Sequence, residues 1–395
     1  MTALEGFKIL DFSRVLAGPF CTMVLADLGA EVIKVEHPVL GDETRHWGPP
    51  WASDMSAYYL SVNRNKRSLT LNLKHRRGRE IAFALAQKAD VIVENFKVGQ
   101  MAGFGLDYAT LSRHHPKLIY CSITGYGQQG PYANRAGYDF AIQAQSGLMS
   151  ITGPTESEPH KVGVAISDVI TGLFAANAIQ AALIHRAKTG RGQYIDVALL
   201  DSQIAALVNV ASNYLVSGAL PTRLGNAHPN IVPYQTFKAS DGEFVLAVGN
   251  DLQFAALCDA IGVPELASDE RFRTNPLRVQ HREMLVQELS TIFSTRTVDE
   301  WLKLCEQHRI PCAPVNDVAQ ALNDPHVLAR GLVQEILLSD GTAVKMVGPA
   351  PKLSETNPTI RTPPPFLGEH THEILQEWLG YDDVTITQLR GDGVL

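Results

Sequence analysis

The chain has 395 residues, 45% apolar and 19% charged, the balance of a globular protein with ample material for a buried core. With 34 Lys and Arg against 41 Asp and Glu, the net charge of −7 argues against nucleic acid or an anionic membrane as the main partner. Cys21, Cys121, Cys258, Cys305 and Cys312 are widely spaced with no CxxC pair, which suggests neither a disulfide framework nor a zinc site and fits free thiols in the cytoplasm.

Met1–Gly6 carries no basic n-region followed by an apolar h-region and leads straight into a strand, Phe7–Phe12. Ser13–Gly18 reads as a loop. Pro19 suits the first position of a helix that runs through Met23 and Leu25 and stops at Gly29. Glu31–Glu36 is the next strand, and strand–helix–strand within ~30 residues is a βαβ unit with parallel strands. The alternation continues with strand Ser68–Leu73, helix Arg76–Lys88 and strands Asp90–Glu94 and Leu118–Thr124. This predicts an α/β fold: a doubly wound, mostly parallel, Rossmann-like sheet in a large domain. Ligands of such sheets bind beyond the carboxyl ends of the strands, here near Ser13–Leu16, His37, Lys74 and Asn95–Phe96.

A long helix Asp168–Lys188, a strand Gln193–Leu199 and a second long helix Asp201–Val216 follow. The apolar run Val169–Ile184 contains Thr171, Asn177 and Gln180 and reads as too short and too polar to span a bilayer. Gly218–Pro233 has linker composition. A hairpin over Tyr234–Val248 and helices to about Gln307 predict a smaller α+β domain, and a further hairpin, Gln334–Val347, precedes a C-terminal helix near Glu369. The expected division is 1–217 for the N-terminal part of the large domain, 218–233 for the linker, 234–315 for the small domain and 316–395 for a return segment.

Gly125–Gly130 fits GxGxxG after a strand, but Pro131–Asn134 continues as loop where a dinucleotide site needs a helix. Neighbouring His370 and His372 diverge on a helix start, so no metal is expected. No GxSxG elbow and no P-loop occurs. Asp168 follows the apolar Gly163–Ile166 and opens an apolar helix, and its plainest reading is a helix N-cap, a role compatible with chemistry.

Several motifs together carry a resemblance. They are Leu10-Asp11-Phe12 with Ala17-Gly18-Pro19, Leu28–Glu36, Asn65–Ser68, Asp90–Phe96, Ser122–Gly127, Lys188–Gln193 and Leu367–Thr371. The chain resembles, nearly end to end, the class III CoA-transferase family, the formyl-CoA and carnitine-CoA transferase group. Tyr59–Lys66, Arg135–Asp139 and Ile231–Gln235 are most similar to its succinyl-CoA:glutarate branch. The resemblance implies transfer of CoA from an acyl-CoA donor, such as succinyl-CoA, to a carboxylic and in particular dicarboxylic acid, with Asp168 as nucleophile. It implies CoA contacts at Val15, Leu16, His37, Leu71, Asn72, Lys74, Asn95, Phe96, Gly137 and Tyr138. His37 and Gly103 stand where better-known members carry basic residues, and Leu16 stands where they carry a glutamine. An interlocked, ring-like homodimer is implied as well, with no permanently bound cofactor, the CoA thioester being substrate.

The chemistry asks for little else. A carboxylate with an ordinary pKa of ~3.9 is already ionised at neutral pH and attacks a thioester without a general base. Arg14 and Arg135, beside expected site motifs, are candidates for a distal carboxylate, because an Arg fork suits that group. Trp47, Tyr58 and Tyr59 are candidates for the acyl-pocket wall, and backbone amides near Asn226–His228 and around Leu16 for oxyanion donors. Two other readings share the fold: an α-methylacyl-CoA racemase, which needs an imidazole where this chain has Tyr138, and a CoA-binding subunit without turnover.

Overall fold

The structure, a computed structural model, describes residues 2–395. The chain divides into two compact units. One takes the chain up to Ser146, Val162–Leu207 and Pro325–Leu395; the other takes Gly147–Lys161 and Val208–Asp324.

The first unit is built on six strands: β1 (Lys8–Asp11), β2 (Glu31–Glu36), β3 (Lys66–Thr70), β4 (Val91–Glu94), β5 (Ile119–Thr124) and β6 (Tyr194–Ala198). They pair in the order β3-β2-β1-β4-β5-β6, parallel throughout. Leu10 at the centre lies opposite Ile33 on one side and Ile92 on the other. Runs such as Val91-Ile92-Val93 are apolar on both faces because both faces are covered. On one face lie α3 (Arg76–Ala86) and the C-terminal helices Thr371–Leu379 and Asp383–Gly391, closing a core of Leu69, Leu85, Ile92, Ile374 and Trp378. On the other lie α1 (Ala17–Asp27) and α5 (Ile166–Thr189), around Cys21, Leu25, Val93, Ile123 and Ile179.

Strand order reverses direction between β1 and β4, so the loops leaving those strands diverge and open a crevice, Ser13–Leu16 on one side and Asn95–Val98 on the other. Three sequence expectations need correction. Helix α1 begins at Ala17, so Pro19 is its third residue; it still lacks only an N–H that no helical carbonyl would accept. Helix α5 has 24 residues and is by length and composition apolar enough to cross a membrane, yet Ala175, Ile179 and Ala182 are packed into the sheet core. The helix read over Asp201–Val216 is two, α6 (Leu199–Ala205) and α7 (Val208–Ser217), parted at Val208, whose φ is 35°. No Gly or Pro marks that break.

The second unit holds an antiparallel sheet of β7 (Tyr234–Lys238), β8 (Glu243–Ala247) and β9 (Cys312–Pro314), with β8 central. Helices pack Phe254, Phe293 and Trp301 against it. The segment 218–233 is largely without regular structure and leads into β7. The hairpin Val333–Leu337 and Ala343–Val347 belongs to the first unit.

Candidate active site

The site starts from charges placed where a doubly covered sheet should be apolar. Asp11 on β1, Lys34 and Glu36 on β2, Lys66 on β3 and Glu94 on β4 are all buried at or near the strand ends. Buried charges persist when paired and hydrogen-bonded. Lys66 Nζ reaches Asp11 at 3.2 Å, Lys34 Nζ reaches Asp42 at 2.8 Å, and Arg45 donates to Glu36 at 2.7 and 2.8 Å. Burial alone would push the Asp42 carboxyl up, but Lys34 and the Thr44 hydrogen bonds hold it below its ordinary value. Burial draws the Lys66 amine down to about 8 against the pull of Asp11.

This frame fixes the two loops of the crevice. Both Asp42 carboxylate oxygens accept the Val15 N–H at 3.2 Å, and Val15 adopts φ of 70°, left-handed for a β-branched residue. Such a conformation costs on the order of 1–3 kcal/mol and persists because its surroundings determine it. Asn95 takes both backbone polar groups of Arg14: its Oδ1 accepts Arg14 N–H at 2.9 Å and its Nδ2 donates to Arg14 O at 2.7 Å. Its amide therefore shapes the loop, a role spacing alone does not reveal. Glu94 accepts the Phe96 N–H at 2.8 Å and the Ser122 hydroxyl, and burial raises its carboxyl to about 7 despite those bonds.

Two cavities open here. The first, of about 380 Å³, is lined by Arg14, Val15, Leu16, Asn95, Phe96, Arg135, Gly137, Tyr138 and Asp168, with Glu43 and Lys97. Gly125 and Gly137 let its wall form: a Cβ on Gly125 would come within 2.7 Å of Gly137 Cα. The second, of about 240 Å³, joins Phe12, Leu71, Asn72, Leu73, Phe96 and Phe104 to His37 and Lys74, and shares Arg14, Glu43 and Phe96 with the first. His37 Nδ1 accepts the Val39 and Leu40 N–H groups at 3.2 and 3.3 Å, which leaves Nε2 to carry the donor proton. Lys74 is exposed, and no ion pair holds it among the described residues.

Asp168 is not the N-cap of α5. That position is Ala165, without a side-chain cap, and Asp168 lies in the first helical turn. Nor is it an ordinary carboxyl: burial first, and then the charge of Asp139, push it up to about 7. Tyr58 is raised to about 12, by burial and then by the negative charge of Asp168. The two candidate arginines differ. Arg14 is bound to Glu43 and lies over the Phe96 ring at 5.2 Å. Arg135 is exposed, stacks on Tyr132 at 3.9 Å and has no carboxylate partner among the described residues. Trp47 and Tyr58 touch edge to face at 5.1 Å but line neither cavity. Asn226 and His228 belong to the second unit, where Asn226 Nδ2 donates to Thr236 Oγ1 at 3.1 Å and the His228 ring packs on Tyr234 at 5.2 Å.

Lys34, Asp42, Glu43 and Asp139 were not legible as site residues. One signal was available, the charges Lys34 and Glu36 interleaved with Val32, Ile33 and Val35 in β2, which a buried parallel strand carries only for a reason. Among the described residues no cluster of His, Cys, Asp or Glu can hold a metal ion.

A Rossmann-ordered sheet, a cleft at its switch point and a carboxylate at the start of a helix lining that cleft mark an enzyme site of the doubly wound class, where ligands bind beyond the strand ends. The profile of CoA-transferase family III matches residues 4–371, and the chain belongs to that family: it is an enzyme that transfers CoA. The succinyl-CoA:glutarate CoA-transferase of Mus musculus is 49% identical over 395 residues, covering 100% of this chain and 91% of that protein. The succinate–glutarate CoA-transferase of Agrobacterium fabrum is 47% identical over 380 residues, covering 95% of each. A crystallised CaiB/BaiF family protein from Brucella suis superposes with a TM-score of 0.83 at 46% identity, covering 95% of this chain and 99% of that one.

Proposed function

We propose that this enzyme moves CoA from succinyl-CoA to a dicarboxylic acid of about glutarate's length, with Asp168 as nucleophile. The observation that carries this reading is Asp168 in the same cavity as the unpaired Arg135. The names of the relatives at 47% and 49% identity agree with it.

The Asp168 carboxylate attacks the thioester carbonyl of the donor. The carbon–sulfur bond breaks, leaving a mixed anhydride and the CoA thiolate. The thiolate then attacks the Asp168 carbonyl, which releases succinate and leaves an aspartyl-CoA thioester. The acceptor carboxylate repeats the sequence in reverse, and Asp168 emerges unchanged. Each attack develops an oxyanion. Leu16 and Ala17 stand at the start of α1, which has no side-chain cap and no acidic residue in its first turn, so their amides are suited to meet that charge. Arg135 receives the distal carboxylate. The second cavity takes the nucleotide end of CoA, with an apolar floor of Leu71 and Phe104 for the base and His37 and Lys74 for phosphate.

We also infer a homodimer, supported by Phe140, Leu173, Phe174 and Ile184, large apolar side chains 46–59% exposed on α4 (Asp139–Gln145) and α5. Light scattering behind a sizing column measures it; a monomer at micromolar concentration refutes it.

The test of the function is incubation with succinyl-CoA and glutarate, with mass detection of glutaryl-CoA, and borohydride trapping of the thioester on Asp168. Absence of any new acyl-CoA across a panel of dicarboxylates, or full transfer by Asp168→Asn free of deamidation, refutes it. Rapid α-deuteration of (R)-2-methylacyl-CoA in deuterated water would identify a racemase instead.

A further inference from the structure

Helix α5 opens without a capping side chain of its own, yet its first turn carries Asp168. The missing cap comes from another helix. Asp139, the first residue of α4, places Oδ1 2.8 Å from the Ser167 N–H and accepts it. Its Oδ2 accepts Gln143 Nε2 at 2.7 Å, and Gln143, fully buried, turns its Oε1 to the Val162 N–H at 2.9 Å. On the far side the Ser167 hydroxyl donates to Gln203 Oε1 of α6 at 2.8 Å. The turn bearing Asp168 is thus held from both flanks, and one of the holding groups is an anion.

We propose that Asp139 is the positioning residue of the transfer reaction, capping the start of α5 from the neighbouring helix α4 so that the Asp168 side chain is fixed in direction beside a second carboxylate. The inference rests on Asp168 being the nucleophile. A hydrogen bond to the amide of the preceding residue sets the direction of the Asp168 Cα–Cβ bond. A second carboxylate close by disfavours ionisation and makes the ionised Asp168 a more basic nucleophile. The other charged or titratable groups facing Asp168 are Tyr58 from α2 (Ala57–Val62), Tyr138 from the turn before α4, and Arg14, Glu43, Lys97 and Arg135 around the cavity. Glu43 is neutralised by Arg14. Of the acidic groups around Asp168, Asp139 is the one bonded to its own turn.

Asp139→Asn removes the charge and keeps an oxygen for the Ser167 N–H, although its Nδ2 no longer accepts from Gln143 Nε2 as Oδ2 does. The kcat/KM profile of succinyl-CoA to glutarate transfer is measured from pH 5 to pH 9 for wild type, Asp139→Asn and Asp139→Ala. The acid limb of Asp139→Asn is expected at lower pH than in wild type. Asp139→Ala loses the bond as well, and kcat is expected to fall on the order of ten- to a hundredfold with KM for succinyl-CoA little changed. An acid limb that stays put in folded Asp139→Asn overturns the proposal, whether or not Asp139→Ala folds. Asp168→Asn is run alongside: if it remains active the nucleophile assignment itself is wrong, whereas an inactive Asp168→Asn with an unmoved limb in Asp139→Asn removes only the role of Asp139.

Discussion

Asp168→Asn should abolish transfer and at the same time stabilise the protein, but only above acid pH. The folded carboxyl sits at about 7 against an ordinary 3.8, because burial and Asp139 penalise its charge. A carboxyl raised on folding destabilises the folded state once the unfolded chain ionises, so the penalty grows from about pH 4 to pH 7 and then levels. Three pKa units set a ceiling of about 4 kcal/mol, and partial solvent access reduces this to roughly 2 kcal/mol. The asparagine carries no such penalty. At ~2–4 °C per kcal/mol for a large domain, its melting temperature should exceed that of wild type by roughly 4–8 °C at pH 8 and match it near pH 4. Differential scanning calorimetry on both proteins, without ligand, from pH 4 to pH 9 makes the comparison. A gap independent of pH, or wild type the more stable at pH 8, would refute the argument that Asp168 is charged at a cost.

Arg135→Gln removes the unpaired cation of the cavity and should raise KM for glutarate roughly tenfold while leaving an acetate-like acceptor unaffected; equal effects on both acceptors, read from steady-state kinetics, would reassign the residue. Gly125→Ala sets a methyl against Gly137 Cα and should lower stability by about 1–3 kcal/mol in denaturant unfolding and impair transfer, since Gly137 lines the cavity; an unchanged midpoint refutes the close approach.

Much of the sheet was legible because its strands are short, apolar and punctuated. Glu31–Glu36 was read to the residue, and the crevice near Ser13–Leu16 and Asn95–Phe96 follows from parallel topology. What stayed hidden depends on residues distant in sequence. The basicity of Asp168 comes from enclosure and from Asp139, a residue of another helix. Arg14 and Arg135 are equivalent in one dimension, and only the fold brings Glu43 to the first. Asn95 reads as a ligand contact until its amide is seen clasping the backbone N–H and C=O of Arg14. The kink at Val208 lies in a pattern that suits a continuous helix, so no local signal announces it.

The return of the C-terminal segment to the first unit has a consequence during synthesis. Thr70 N–H is accepted by Thr371 Oγ1, 301 positions on, and Arg45 donates to the carbonyl of Pro365. Arg64 reaches the Val347 carbonyl, and Asn65 binds the backbone at Thr359 and Arg361. At ~5–20 residues per second, the outer strand β3 waits on the order of 15–60 s on the ribosome before the residues that cover it emerge. Throughout that interval Leu69 and its neighbours lack Ile374 and Trp378, which complete their core. Messages truncated shortly before codon 370 should therefore yield chains that chaperones retain, although most of the sheet has already been made.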